Sequence, residues 1–287
     1  MRKISLILFL AIIFACLDGI VLAAEKEDSS MNRVKIAEEN IGEWMSTTAT
    51  RLADTDPELA SIRDRLVFGE ILNKSSLTPK LQIIAIIVAL AANRLEDQLA
   101  GAIQSALKIG VEPIELRETL YQCAPYIGFP LTEDAVSILN GVLQKRGVRL
   151  PLPEQGTVDE DTRLRKGVDL QMKIFGAEHI SAMRENAPAD QKELLANYLS
   201  AFCFGDIYTR KILDIKTREL ITFCAIVSLG GCDPQATAHA AANISVGNEK
   251  RNLIDALVAM LPINGFPRTL NGLSCVNKAV PEDKTKK

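Results

Sequence analysis

A pattern in the first half of this 287-residue chain returns in the second, and the duplication limits the fold more than any other feature. Phe68-Gly69-Glu70-Ile71, followed by Lys80, comes back as Phe204-Gly205-Asp206-Ile207, followed by Lys216; Gly128-Phe129-Pro130 comes back as Gly265-Phe266-Pro267. Between the copies, Pro151-Leu152-Pro153-Glu154-Gln155-Gly156 stops helix and makes an extended connector. The sequence therefore divides into a first repeat over 24–150, a linker over 151–156 and a second repeat over 157–281. The copies are unequal. Where the second has Glu219 and His239 the first has Ile83 and Ala102, so acid/base chemistry is expected of one half only.

Apolar residues recur at helical spacing throughout, with almost no alternating pattern, which predicts an all-α fold. The block Leu81 to Ala92 is apolar on nearly every face and reads as a central buried helix. Amphipathic helices are expected at Asn32–Leu52, Pro57–Leu72, Leu99–Lys108 and Pro113–Cys123. The second half follows with Asp161–Phe175, Pro188–Phe204, Thr217–Leu229, Pro234–Val246 and Lys250–Met260.

The start of the chain reads as a targeting signal. Met1-Arg2-Lys3 is basic, Ile4 to Ala15 is apolar, and Val21-Leu22-Ala23 suits signal peptidase, so residues 1–23 are expected to be removed on export to the periplasm or outside. Asp18 interrupts the run and leaves it short for a span, so no membrane segment is expected once the signal is gone. Cys16 in Ile13-Phe14-Ala15-Cys16 offers lipoprotein anchoring as a less favoured alternative. Residues 282–287 are charged and read as a flexible tail. With 33 basic against 36 acidic residues and no basic stripe among aromatics, nothing marks a nucleic-acid partner. Five cysteines would remain in the mature chain, without a CxxC and with only two histidines, so neither a disulfide scaffold nor a metal site is expected.

The candidate chemistry lies between Arg218 and Gly247. Gly230-Gly231 ends one helix, Asp233 and Pro234 start the next and Gly247 closes it, which makes a helix hairpin. His239 is the best single candidate because imidazole exchanges protons near neutrality without a cofactor. The alanines around it leave room for a ligand, and they would equally serve close helix packing. Glu219 sits early in the preceding helix, where the dipole favours a negative charge for structural reasons too. At a rise of about 1.5 Å per residue the hairpin puts the two roughly 7 Å apart along its axis, so they are expected to flank a pocket rather than bond. Gln235 shares the His239 face one turn earlier and is the candidate substrate-binding residue. Cys232, near a helix start, is a candidate thiolate, although a lone half-buried cysteine more often acts as a small hydrophobe. His179 has no constellation around it and reads as structural or surface.

Phe204-Gly205-Asp206-Ile207-Tyr208-Thr209-Arg210, Leu213 to Ile221, Gln235, His239 and Gly265-Phe266-Pro267 together resemble a carboxymuconolactone decarboxylase-like domain of the alkylhydroperoxidase D-like superfamily. Residues 163–276 fit it well, and 62–147 resemble a degenerate second copy. The resemblance implies two tandem all-α domains, a small-molecule substrate, no cofactor, and a homo-oligomer, a trimer of tandem repeats. It assigns Glu219 and His239 to the active site. In the decarboxylase branch His239 would donate a proton after carbon dioxide leaves a carboxylated lactone or keto acid. In the peroxidase branch Cys232 would act in a peroxiredoxin-like oxidoreductase, but Gln235 stands where that motif has its second cysteine. A non-catalytic, ring-forming binding protein is the third expectation.

Overall fold

The structure, a computed structural model, describes residues 32–42, 44 and 52–281. The expected export signal with Cys16 and the charged tail 282–287 lie outside the described residues. Every regular element among the described residues is helical. The described residues divide into two compact units, one of residues 32–42 and 52–74, the other of residues 44 and 75–281.

In the smaller unit, helix α1 (32–42) lies against a π-helical turn, Val67–Ile71, into which α2 (Pro57–Leu66) runs on. The approach is close because Gly69 has no Cβ: one added there would fall on the Arg33 carbonyl oxygen. Arg33 pairs with Glu70 at 2.6 Å, and Asn40 Nδ2 donates to the Phe68 carbonyl at 2.6 Å.

The larger unit contains α3 (Pro79–Ala92), α4 (Glu96–Lys108), α5 (Pro113–Ile127), α6 (Phe129–Lys145), α7 (Arg163–Phe175) and α8 (Ala177–Glu185). A long π-helix, Glu193–Tyr208, follows, and then α9 (Ile215–Leu229), α10 (Asp233–Ser245) and α11 (Lys250–Ala279). Its centre is α3 packed on α9. From Arg218 to Ser228 every α9 residue is buried, and nine of the fourteen in α3 are. Both helices start the same way: the Thr78 side chain accepts from Leu81 N–H, and the Asp214 side chain from Thr217 N–H, each satisfying an amide free of helical partners. Both α5 and α11 open with a capping box, Glu112 with Glu115 and Glu249 with Asn252. Each carries an internal proline, Pro125 or Pro262, three residues before a glycine with positive φ, Gly128 at 82° or Gly265 at 70°. That glycine conformation turns the chain sharply and splits α11 at the point where the first repeat separates α5 from α6.

The expected helix bounds need revision. Residues 129–145, unassigned from sequence, form α6. The helix expected over Pro188–Phe204 begins at Glu193 and continues to Tyr208, because Gly205 is a contact point and not a breaker: a Cβ there would meet the Arg163 carbonyl. Arg163 also pairs with Asp206 across that contact, repeating the Arg33–Glu70 arrangement of the smaller unit. The duplicated contact lies within the bounds 24–150 and 157–281 expected of the two repeats. Among the described residues no helix is long and apolar enough to cross a membrane.

Candidate active site

Glu219 and His239 bond directly, with Nδ1 to Oε2 at 2.8 Å, which corrects the expected pair separated by a pocket. The axial offset is closed by the reach of both side chains where α10 packs across α9. Asn243, one turn beyond His239, locks that crossing by donating to the backbone carbonyls of Glu219 (2.9 Å) and His239 (2.8 Å).

Glu219 is fully buried, and its Oε1 accepts from Tyr208 at 2.9 Å. Tyr208 also bonds Thr222 at 2.7 Å and Tyr126 at 3.1 Å, and Tyr126 reaches Cys203 at 3.5 Å. Burial, followed by the nearby Glu219, pushes the Tyr208 phenol well above its ordinary pKa; burial, then Cys203 and Tyr208, does the same to Tyr126. Both therefore remain protonated donors. The imidazole makes T-shaped contacts with Phe175 and Tyr126, at centroid distances of 5.3 and 5.7 Å. His239 Nε2 bonds to no described residue, yet it is not one of the two sealed polar atoms without a partner, Gln82 Oε1 and Arg218 Nε. It stands at the edge that leaves the side chain 11 % exposed.

A second layer lies behind the carboxylate. Gln122 Nε2 donates to Thr222 at 3.2 Å, and its Oε1 accepts from Arg218 at 2.7 Å. Arg218 is sealed from solvent; burial lowers its pKa to about 10, with the Glu118 carboxylate opposing, so it is still a cation at neutral pH. Glu118 is gripped by Arg210 at 2.8 Å and Arg117 at 3.0 Å, with Arg218 at 3.8 Å. Tyr126, Gln122 and Glu118 all come from α5, in the first repeat. The half without the acid and the histidine thus builds part of the site, which narrows the expectation that one half alone would carry the chemistry.

The remaining candidates stand apart. Cys232 is two turns before His239, about 10 Å along the helix, and lines a small cleft with Gly230, Asp233, Arg268 and Asn271 that neither Glu219 nor His239 borders. Its thiol reaches the Gly230 carbonyl at 3.5 Å. Gln235 and His179 are exposed. The five described cysteines are all free; burial pushes Cys123 and Cys203 up to about 12 and Cys224 higher still, so these three are thiols, not thiolates. No group of described residues could hold a metal ion. Sequence reading missed Tyr208, Thr222, Tyr126, Gln122 and Arg218. A position-by-position comparison of the copies carries the signal, since Thr222, Gln122 and Tyr126 fall opposite Ile86, Ala259 and Ile263.

A 4-carboxymuconolactone decarboxylase of Acinetobacter baylyi is 24% identical over 110 residues, 38% of this chain and 81% of that protein. A crystal structure of a candidate gamma-carboxymuconolactone decarboxylase subunit from Burkholderia xenovorans shares the fold, with a TM-score of 0.51 and 19% identity over 86% of this chain and 97% of that one. The carboxymuconolactone decarboxylase family profile matches twice, at residues 57–141 and 193–278, together more than half the chain. With two matches related by the same duplication that relates the helices, this chain belongs to the carboxymuconolactone decarboxylase family.

Proposed function

We propose that the chain is an acid/base lyase that removes carbon dioxide from a small carboxylated lactone or keto acid, with His239 as proton donor and Glu219 as the acid that orients it. The observation that carries this reading is the polarity of the imidazole: Nδ1 is tied to a buried carboxylate, and Nε2 is left at the open edge. As the bond to the leaving carboxylate breaks, its electron pair moves into the conjugated carbonyl. The imidazolium gives its Nε2 proton to the resulting enolate carbon and keeps Nδ1–H on Glu219. No metal is needed for these steps, because the charge that develops is met by a cation already paired. The substrate class comes from the name of the Acinetobacter relative. Carbon dioxide release from carboxylated lactones by wild type and His239→Ala tests it: a loss of ~10² to 10⁴-fold in kcat/KM is expected, and unchanged turnover refutes it.

Thiol chemistry through Cys232 has less support, because the cysteine lies in a separate cleft. A purely binding role would leave the oriented imidazole without a use. We further propose that residues 1–23 direct export, which N-terminal sequencing of periplasmic material tests, and that the tandem chain assembles as a trimer. Phe129 and Phe266, duplicated and 55 % and 65 % exposed, supply apolar surface for such contacts. Light scattering of the purified chain reads the number of subunits.

A further inference from the structure

We infer that Gln122, a residue of the repeat that lacks the acid and the histidine, sets the direction in which hydrogen bonds run to Glu219 and so how strongly that carboxylate accepts from His239 Nδ1–H. The inference rests on the acid/base reading of that histidine. The chain of contacts begins at Arg218, whose guanidinium can only donate. It is held in place by the carbonyls of Arg210 (2.8 Å) and Lys211 (3.1 Å). Its Nη1 therefore faces the Gln122 oxygen, at 2.7 Å; the opposite amide orientation would set two donors against each other. The Gln122 amide nitrogen then donates to Thr222 Oγ1 at 3.2 Å, and nitrogen there cannot accept. Thr222 is left to pass its own hydrogen to Tyr208, at 2.7 Å, and Tyr208 to pass its hydrogen to Glu219 Oε1, at 2.9 Å. Glu219 Oε2 remains as acceptor for His239 Nδ1–H at 2.8 Å.

Each handover leaves one choice for the next. A fixed cation at one end and a carboxylate at the other give the chain a single sense, and buried hydrogen bonds in series reinforce one another. Its product is a Glu219 carboxylate that receives donors on both oxygens, which moderates how strongly it accepts from His239 Nδ1–H. Gln122 is the reversible link, because its two ends differ only in which atom is nitrogen. It is a positioning residue: it touches Arg218 and Thr222, not the reacting atoms.

The test is Gln122→Glu, which keeps the shape and removes the amide hydrogens. Thr222 would then donate to the new carboxylate, Tyr208 to Thr222, and Glu219 would lose its phenol donor. Nitrogen-15 spectra of the histidine rings read this directly, since the chain has only two histidines and the exposed His179 serves as internal reference. The Nδ1 proton of His239 is expected to move downfield, as a carboxylate with one donor fewer accepts more strongly from the other. The pH–rate profile moves with it, and kcat falls on the order of tenfold, the lower end of what losing a supporting partner costs at other sites, while KM changes little. Gln122→Met, which breaks the link without adding charge, is expected to give a smaller shift of the same resonances. His239 resonances at wild-type positions in both folded variants would overturn the inference, and if Gln122→Glu does not fold, Gln122→Met alone decides. The spectra need no substrate, so a lyase assignment that fails at His239→Ala leaves this readout standing.

Discussion

The hairpin α9–α10 with α5, and its counterpart α3–α4 with α11, are two renderings of one design. They share N-caps on the central helix, capping boxes, an internal proline, a positive-φ glycine and a buried acid, Glu118 or Asp255. They differ in the polar chain. Arg218, Glu219, Thr222, His239, Gln122 and Tyr126 stand opposite Gln82, Ile83, Ile86, Ala102, Ala259 and Ile263. What both halves keep is what the fold requires; what only one keeps is what the site requires. Physical chemistry explains why the chain was exchanged almost whole. Removing one partner strands a buried polar group, whereas replacing both with apolar groups is nearly neutral. Gln82, the remaining polar counterpart, has an unpartnered Oε1 in the core.

The sharpest way to break the comparison is to move the histidine. His239→Ala should lower kcat/KM by ~10² to 10⁴-fold, and adding Ala102→His to that variant should restore nothing, because Ile83 offers the new ring no carboxylate. Recovered turnover in the double variant would show the silent half to be competent.

The two buried acids give the next largest contrast, read as stability in urea. Glu118→Ala leaves Arg117, Arg210 and Arg218 facing one another and should cost about 3–5 kcal/mol, as breaking buried pairs does. Asp255 accepts from Ser76 N–H at 2.6 Å and Ser76 Oγ at 2.5 Å and pairs with the exposed Arg251 at 2.9 Å, so Asp255→Asn should cost about 1.5–3 kcal/mol. Burial pushes the Asp255 carboxyl up, but the Ser76 bonds and Arg251 outweigh it and hold the group below its ordinary pKa. A carboxyl depressed by folding stabilises only where it is ionised, so the gap between wild type and Asp255→Asn should persist above about pH 4 and close as the pH falls through the folded value. Equal losses for the two acids would mean that the clustered arginines are not specific to the active half.

Much of this was legible in the sequence because helices announce themselves locally. The buried run Leu81–Ala92 and the hairpin at Gly230-Gly231 are set by composition within a few residues, and they appear where the pattern puts them. Glu219 and His239 were legible as the asymmetry between copies. Their direct bond was not, because an axial offset says nothing of how side chains lean across a helix crossing. Tyr126 and Gln122 were invisible for another reason: they come from the other repeat, and only the packing of α5 on α9 brings them within reach of Thr222. The helix end expected at Phe204 falls short of Tyr208 because the backbone contact at Gly205, made with a distant helix, leaves no local signal.

The smallest effect is expected at Cys232. The cleft it lines is duplicated: Ile226, Val227, Asp233, Ala236, Arg268 and Asn271 correspond at the repeat spacing to Leu90, Ala91, Glu96, Leu99, Leu131 and Asp134, which line a cleft of their own. Leu95, at the helix start of α4, occupies the place that Cys232 has at the start of α10. A cleft present in the half without the acid and the histidine belongs to the fold, and a cysteine that trades with leucine is acting as a small apolar side chain. Cys232→Ser should therefore leave turnover of carboxylated lactones within about twofold and stability within about 0.5 kcal/mol, as for substitutions away from a core or network. Peptide mass spectra after peroxide should show Cys232 unmodified. Loss of turnover in Cys232→Ser would join the cleft to the His239 site and erase the division between duplicated scaffold and unduplicated chemistry.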